Sequence, residues 1–286
     1  MIKLEKTQVV GWEPAIRGMR NPKNSWDKSD SHSCGTRGDC NNCIDYDNCP
    51  YGYDYLKTVI GPNDHDLMMR LAKGGPVHAK YRRMIVVYVD ITAPLYWWKE
   101  FDTYKVGTVA NSCSTMHKLT EKEFTLDDFS HEHLIGIWKA DLKVTILKLN
   151  IARATYIYGG DVLDDDGNVF TVEPKNKDVW EQMIQSLPSS YNQKRTVMMN
   201  YEVLAGLYPM RKNHKLKEWH DFCDWIEGLP YSEFITTPVK HNPLAHPETY
   251  VEDSKAMIND MTDAQRAEVY AYLTKKMEDK TMHKRV

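Results

Sequence analysis

Residues Ile91–His117, ITAPLYWWKEFDTYKVGTVANSCSTMH, decide how this chain is read. They join the end of an apolar run to an aromatic-rich helix start, and then to a polar segment dense in hydroxyl and amide groups. Upstream, Arg82–Ile91 (RRMIVVYVDI) is β-branched and apolar on both faces, the pattern of a strand covered on two sides. Pro94 marks a strand-to-helix turn, after which Leu95, Trp97, Trp98, Phe101 and Tyr104 recur at helical spacing. Such an aromatic stripe reads as core. Asn111-Ser112-Cys113-Ser114 closes the stretch. Its polar groups are costly to bury unless they bond the local backbone or a ligand, and the residues alone leave both uses open.

Working outward, the chain has 286 residues, 42% of them apolar, with eight Trp. That is enough for a sizeable core in one large domain or two small ones. A formal charge of −3 gives no electrostatic case for bulk nucleic-acid or membrane binding. No apolar run is long enough to span a bilayer. The start, MIKLEKTQVVGW, has no apolar signal core, so a cytoplasmic, reducing setting is expected. Residues 21–55 change character. Cys34, Cys40, Cys43 and Cys49 fall here in a C-x5-C-x2-C-x5-C pattern, among few aliphatic residues. Four thiolates so close suit tetrahedral zinc. An iron–sulfur cluster takes the same ligands, and free thiols or one redox pair are the alternative.

Thr7–Gly11 reads as a short strand, and a helix is expected from Asn63 as N-cap to the stop at Gly74-Gly75-Pro76. Residues 124–155 are helical in part; His131 and His133 have the wrong spacing for two ligands on one helix face. Residues 159–175 read as a polar turn, whose Asp residues lack the order of a calcium loop. Trp180–Leu187 is helical. Ser189–Arg195 then gathers Lys194 and Arg195 with several donors, which suits either a phosphate or a solvated turn. The segment from Thr196 reads as a helix with Asn200, Leu204, Leu207 and Arg211 on one face, ended or kinked by Pro209. Leu216, Trp219, Phe222, Cys223 and Ile226 mark another amphipathic helix. A connector follows from Thr236, and Thr262-Asp263-Ala264-Gln265 is a capping box opening a last helix. There is no P-loop, GxGxxG or GxSxG. Cys113 and His117 lie one turn apart without a third orienting group.

From Lys73 to Ile226 the chain resembles the flavin-dependent thymidylate synthases. Gly75-Pro76-Val77-His78 resembles their Glu-His entry to the first core strand, and Asp90–Glu100 their strand-to-helix passage ending in Arg-Gln. Thr103-Tyr104-Lys105 occupies the place of Arg-His-Arg, and Asn111–Met116 that of Asn-Glu-x-Ser-x-Arg with one residue inserted before it. Leu187-Pro188 resembles the family's Leu-Pro, with Asn200 and Arg211 at the family's intervals.

The resemblance implies an α/β (α+β) fold over residues 1–20 and 56–235, with 21–55 as an inserted Cys-rich loop module and 236–286 as connector and helix. It implies FAD as hydride carrier, methylene-tetrahydrofolate and NADPH as co-substrates, dUMP-to-dTMP methylation, and a homotetramer with sites between subunits. Residue by residue, it implies Arg211 and Ser114 in catalysis, with Arg211 at the pyrimidine edge. His78, Tyr104, Lys105 and Asn200 would touch the flavin. Glu100, Thr103, Asn111, Ser112, Lys194 and Arg195 would touch the nucleotide. The pattern is broken at several places: Thr103, Lys105, Met116, Ile184 and Glu202 replace arginines, and Ser112 replaces a glutamate. Lys or Met does not restore a bidentate guanidinium contact. Two other readings therefore stand beside the enzyme: a non-methylating nucleotide- or flavin-binding protein on the same fold, and a metal-stapled interaction protein.

Overall fold

The computed structural model describes residues 2–33, 58–114, 119–164 and 166–238, with Thr262 and Ala267. The chain divides into Met1–Pro238 and Val239–Val286, and the described elements belong to the first unit. Cys34, Cys40, Cys43, Cys49, Met116, His117 and the helix expected after Thr262 lie outside the described residues.

The centre is an antiparallel sheet of four strands in the order β1 (Lys3–Val10), β4 (Val86–Pro94), β8 (Asn192–Asn200) and β5 (Val109–Ser112). In β4, Val87, Val89, Ile91 and Ala93 are fully buried while Tyr88 is exposed. The other face is partly covered, with Asp90 and Pro94 buried, Val86 and Thr92 half-buried, and Tyr88 open. β4 starts later than the apolar run, because Lys80–Met84 forms a 3-10 turn that carries the chain into the sheet. β4 and β8 pair from Val86 with Asn200 to Pro94 with Asn192, and this long ladder overrides the helix expected from Thr196. The polar stretch around Lys194 and Arg195 is therefore strand, and only the residues after Asn200 are helical.

Against the buried face of β4 and β8 pack α1 (Trp12–Arg20), α2 (Pro62–Lys73), α3 (Leu95–Phe101), α6, α7 (Lys217–Glu227) and α8 (Glu233–Thr236); α6 is Tyr201–Arg211. The stripe of α3 meets α7, with Trp97 and Trp219 ring centres 4.7 Å apart, an arrangement typical of aromatic core contacts. α2 starts at Pro62, after Gly61. The expected cap Asn63 lies inside its first turn, because the Asp30 carboxylate accepts the N–H groups of Asn63 (2.9 Å) and Asp64 (3.1 Å). A second core of Phe124, Phe129, Leu142, Leu149 and Met183 joins α4 (Ile137–Tyr158) to α5 (Lys177–Ser186).

Between α4 and α5 the expected loop is a hairpin, β6 (Gly160–Leu163) with β7 (Val169–Val172). Its Asp164 carboxylate accepts the N–H groups of Asp166 (3.0 Å) and Asn168 (2.7 Å), and Gly167 supplies a positive φ of 83°. The acidic cluster is thus turn chemistry. A short ribbon, β2 (His32–Ser33) with β3 (Thr58–Val59), sets Ser33 opposite Thr58. Among the described residues no helix is long and apolar enough to cross a membrane.

Candidate functional site

Arg211, the last residue of α6, is held from three sides. Its Nη1 donates to Glu100 Oε2 at 2.7 Å and its Nε to Tyr104 Oη at 2.8 Å. The guanidinium carbon lies 4.4 Å from the centre of the Trp219 ring, a cation–π geometry. Trp219 Nε1 donates to the same Glu100 oxygen at 2.9 Å. His214 Nε2 lies 3.4 Å from that oxygen, while its Nδ1 accepts the Leu216 N–H at 3.2 Å. A neutral His214 with an accepting Nδ1 carries its proton on Nε2, facing Glu100. One carboxylate oxygen at the end of α3 thus gathers an arginine, an indole and an imidazole. Among the described residues Arg211 Nη2 takes no partner.

Asn200 stands at the other end of α6 as its N-cap, its Oδ1 accepting the Val203 N–H at 3.0 Å. Asn200 and Arg211 therefore mark the two ends of one helix, about three turns apart as their spacing suggests. Gly107, with φ 78°, comes so close that an added Cβ would lie 3.2 Å from Asn200 Nδ2. The loop after α3 thus needs glycine here on both steric and conformational grounds.

Lys194 and Arg195 do not form a joint phosphate cradle, because consecutive strand residues point to opposite faces. Lys194 pairs with Asp90 at 3.2 Å and Glu5 at 3.6 Å. The Thr196 and Lys194 hydrogen bonds hold the Asp90 carboxyl below the usual carboxylate range. Arg195 donates to Asp102 at 2.7 Å and to Gln193 at 2.9 Å, and its guanidinium lies 4.1 Å from the Trp98 ring centre. Thr103 Oγ1 donates to the Glu100 backbone carbonyl at 2.7 Å. Asn111 and Ser112 lie exposed on β5, paired with Thr196 and Arg195. Ser114 follows them, half-buried. Lys105 is exposed, and its side chain takes no partner among the described residues.

His78 lies in a different place, the wall of a cleft of about 1440 Å³ between α1, α2 and the 3-10 turn. Its ring packs on Gly74, where a Cβ would come within 3.1 Å of the imidazole. Lys23, Lys28 and Lys80 line the same cleft and form no ion pair among the described residues. Beside this turn Arg82, fully buried, sits 3.7 Å from Glu202. Arg82 Nε and Nη2 and Glu202 Oε2 have no hydrogen-bond partner among the described residues, and burial pushes the Glu202 carboxyl up.

The sequence did not point to Trp219, His214, Lys23, Lys28 or Lys80. Trp219 reads as a core residue by spacing, and nothing in that spacing announces where its indole N–H goes. His214, three residues past Arg211, was findable as a neighbour on the same turn.

No protein-family model and no curated protein matches the sequence. Solved structures do match. Thymidylate Synthase X (ThyX) from Helicobacter pylori, with FAD and dUMP, superposes with a TM-score of 0.52 at 15% identity, covering 84% of this chain and 100% of that one. A second structure of the flavin-dependent enzyme from the same organism, complexed with FAD and dUMP, gives 0.51 at 14% identity over 83% and 100%. At such identities the likeness establishes the fold: this chain has the flavin-dependent thymidylate synthase fold.

Proposed function

We propose that this chain binds FAD and a pyrimidine deoxynucleotide and methylates the pyrimidine, in a reaction of the dUMP-to-dTMP type with methylene-tetrahydrofolate and NADPH. The observation that carries this reading is the state of Arg211. Its guanidinium is fixed through Nε and Nη1 by Tyr104 and Glu100, and Nη2 is left to donate. A pyrimidine carbonyl placed there would gain a charge-assisted hydrogen bond that favours the ionised ring. Trp219 and Glu100 would keep the fork from turning away, so no reorganisation accompanies the reaction.

The residues present fit the cofactor. A cleft of about 1440 Å³ with His78 on its wall, and with Lys23, Lys28 and Lys80 around it free of ion pairs among the described residues, suits a large ligand carrying a pyrophosphate. Asn200 Nδ2 remains unbonded among the described residues, its Oδ1 being used on the helix. Bound flavin would supply the hydride, and the protein would supply position and charge. Ser114, Asn111, Ser112 and Thr103 would line the nucleotide, with Lys105, whose side chain is unpaired among the described residues, close to Thr103 in sequence. The enzyme would act in the cytoplasm as a homo-oligomer.

The test is the visible absorption of the purified protein after incubation with FAD, followed by titration with dUMP. A bound flavin band perturbed by dUMP is expected. Protein that takes up no FAD and leaves dUMP free overturns the reading. A second reading, binding without methylation, is favoured by the pairing of Lys194 and Arg195 with Asp90 and Asp102, which leaves them little for a phosphate. Formation of dTMP from dUMP with folate and NADPH excludes it.

A further inference from the structure

The Arg211 cluster leaves three groups unspent, and they lie in a fixed order. Tyr104 Oη accepts the Arg211 Nε–H at 2.8 Å, so its own O–H remains to donate. Arg211 Nη2 keeps both protons among the described residues. Glu100 Oε2 takes Arg211 Nη1 and the Trp219 indole, while Glu100 Oε1 accepts from nothing among the described residues. In a guanidinium, Nη2 lies between Nε and Nη1 on the side away from the stem. The open groups therefore run donor, donor, acceptor: Tyr104 O–H, Arg211 Nη2 and Glu100 Oε1. The side chain of Glu100 is 34% exposed and that of Arg211 16%, so a ligand can reach the row.

We propose that this row reads the edge of a 4-aminopyrimidine, so that the nucleotide held here is a cytosine nucleotide. The inference deepens the pyrimidine reading of Arg211 and rests on it. Cytosine presents, in order, the O2 and N3 acceptors and the N4 amino donor. Tyr104 and Nη2 would donate to the first two, and Glu100 Oε1 would accept from the amino group, a carboxylate being a natural partner of cytosine N4. Uracil presents acceptor, donor, acceptor from either side, because its two carbonyls flank N3–H. Seated on the same row, it sets N3–H against Nη2 and a carbonyl against the carboxylate, and neither contact is a hydrogen bond. Losing the N3 proton cures the first and worsens the second, because it places an anionic ring beside Glu100. Cytosine fits without ionising. Glu100 is thus the specificity-determining residue, held through Oε2 by Arg211 and Trp219 and keeping Oε1 for position 4 of the ring.

The experiment is calorimetric titration of the full-length protein, with FAD present, against three nucleotides: dCMP, dUMP and the 2-pyrimidinone deoxynucleotide, which is dCMP without its amino group. The wild type is expected to bind dCMP at least about tenfold tighter than either of the others. Glu100→Gln, whose amide can offer an oxygen or an NH2 to position 4, is expected to bring dCMP and dUMP within about threefold of each other, with its circular dichroism unchanged. A wild type that binds dUMP as tightly as dCMP, or tighter, overturns this inference and leaves the pyrimidine reading standing. A wild type that binds none of the three overturns both. Equal affinity for dCMP and the 2-pyrimidinone overturns the role of the amino group without any change to the protein. A full dCMP preference in folded Glu100→Gln overturns the assignment to Glu100.

Discussion

Two arginines of this protein are buried beside a carboxylate, and they are built in opposite ways. Arg20 donates to Asp64 Oδ1 at 2.6 Å and to the Ser25 carbonyl at 3.1 Å. Asp64 Oδ2 accepts from the Ser29 and Ser31 hydroxyls, both at 2.7 Å, and from the backbone of Asp30 and Ser31. Arg82 faces Glu202 at 3.7 Å, with two of its own nitrogens and the facing oxygen unbonded among the described residues. Burial acts on both carboxyls. In Asp64 it is outweighed by Ser31, Ser29 and Arg20, which hold the group below its ordinary value; in Glu202 burial prevails and the group is pushed up. The first pair is a rivet between α1, α2 and residues 29–31. The second keeps unused bonding capacity, at a cost in stability, beside the turn that leads from the His78 cleft into the sheet.

The largest effect should come from breaking the rivet. Asp64→Ala leaves Arg20 buried and unpaired and should lower stability by about 3–5 kcal/mol, read by urea unfolding. If it costs less than about 1 kcal/mol, the contrast between the pairs is wrong. Replacing the second pair by apolar and neutral groups, Arg82→Met/Glu202→Gln, should be neutral or should stabilise by about 1–4 kcal/mol. A loss as large as that of Asp64→Ala would show that Arg82 is as structural as Arg20.

The two pairs should also answer pH with opposite sign. Asp64 has a lowered value in the folded state, so its contribution is present above its ordinary value of 3.8 and is lost as pH falls through the lowered value. Glu202 has a raised value, so the folded state holds its proton longer. Its contribution is present below 4.5 and is lost as pH rises from there through the raised value. Unfolding measured across acid pH should therefore lose its Asp64 limb in Asp64→Asn and its Glu202 limb in Glu202→Gln. Identical curves in wild type and both variants would remove the distinction.

The smallest effect belongs to the Arg211 cluster, which shares the satisfied character of the rivet but keeps one nitrogen open. Trp219→Phe retains the ring and deletes the indole donor to Glu100, which should cost about 1 kcal/mol. Nucleotide affinity, measured by calorimetry, should fall with it. Unchanged affinity with reduced stability would make Trp219 a packing residue alone.

What could be read from the sequence divides along the same physical line. The passage from β4 to α3 was legible because its cause is local: a β-branched run, a proline, then aromatics at helical spacing. α7 was legible for the same reason. The start of α2 was not, because its cap is the Asp30 carboxylate, delivered from another part of the chain. β8 was misread because its partners, β4 and β5, decide its state, and Thr196–Asn200 carries no period strong enough to announce a strand. Asn200 and Arg211 were singled out together by spacing, but that one caps the helix and the other ends it was not announced by that spacing. Side-chain hydrogen bonds such as Trp219 to Glu100 leave no trace in periodicity at all.

The ribbon of β2 with β3 bears on how this chain could change over time. By holding Ser33 opposite Thr58, it brings the two ends of segment 34–57 together at one point on the body. Strands whose ends are held this close can accept a connection of different length between them without parting from one another. A chain with Ser33 joined to Thr58 by a two-residue turn should fold as the parent does.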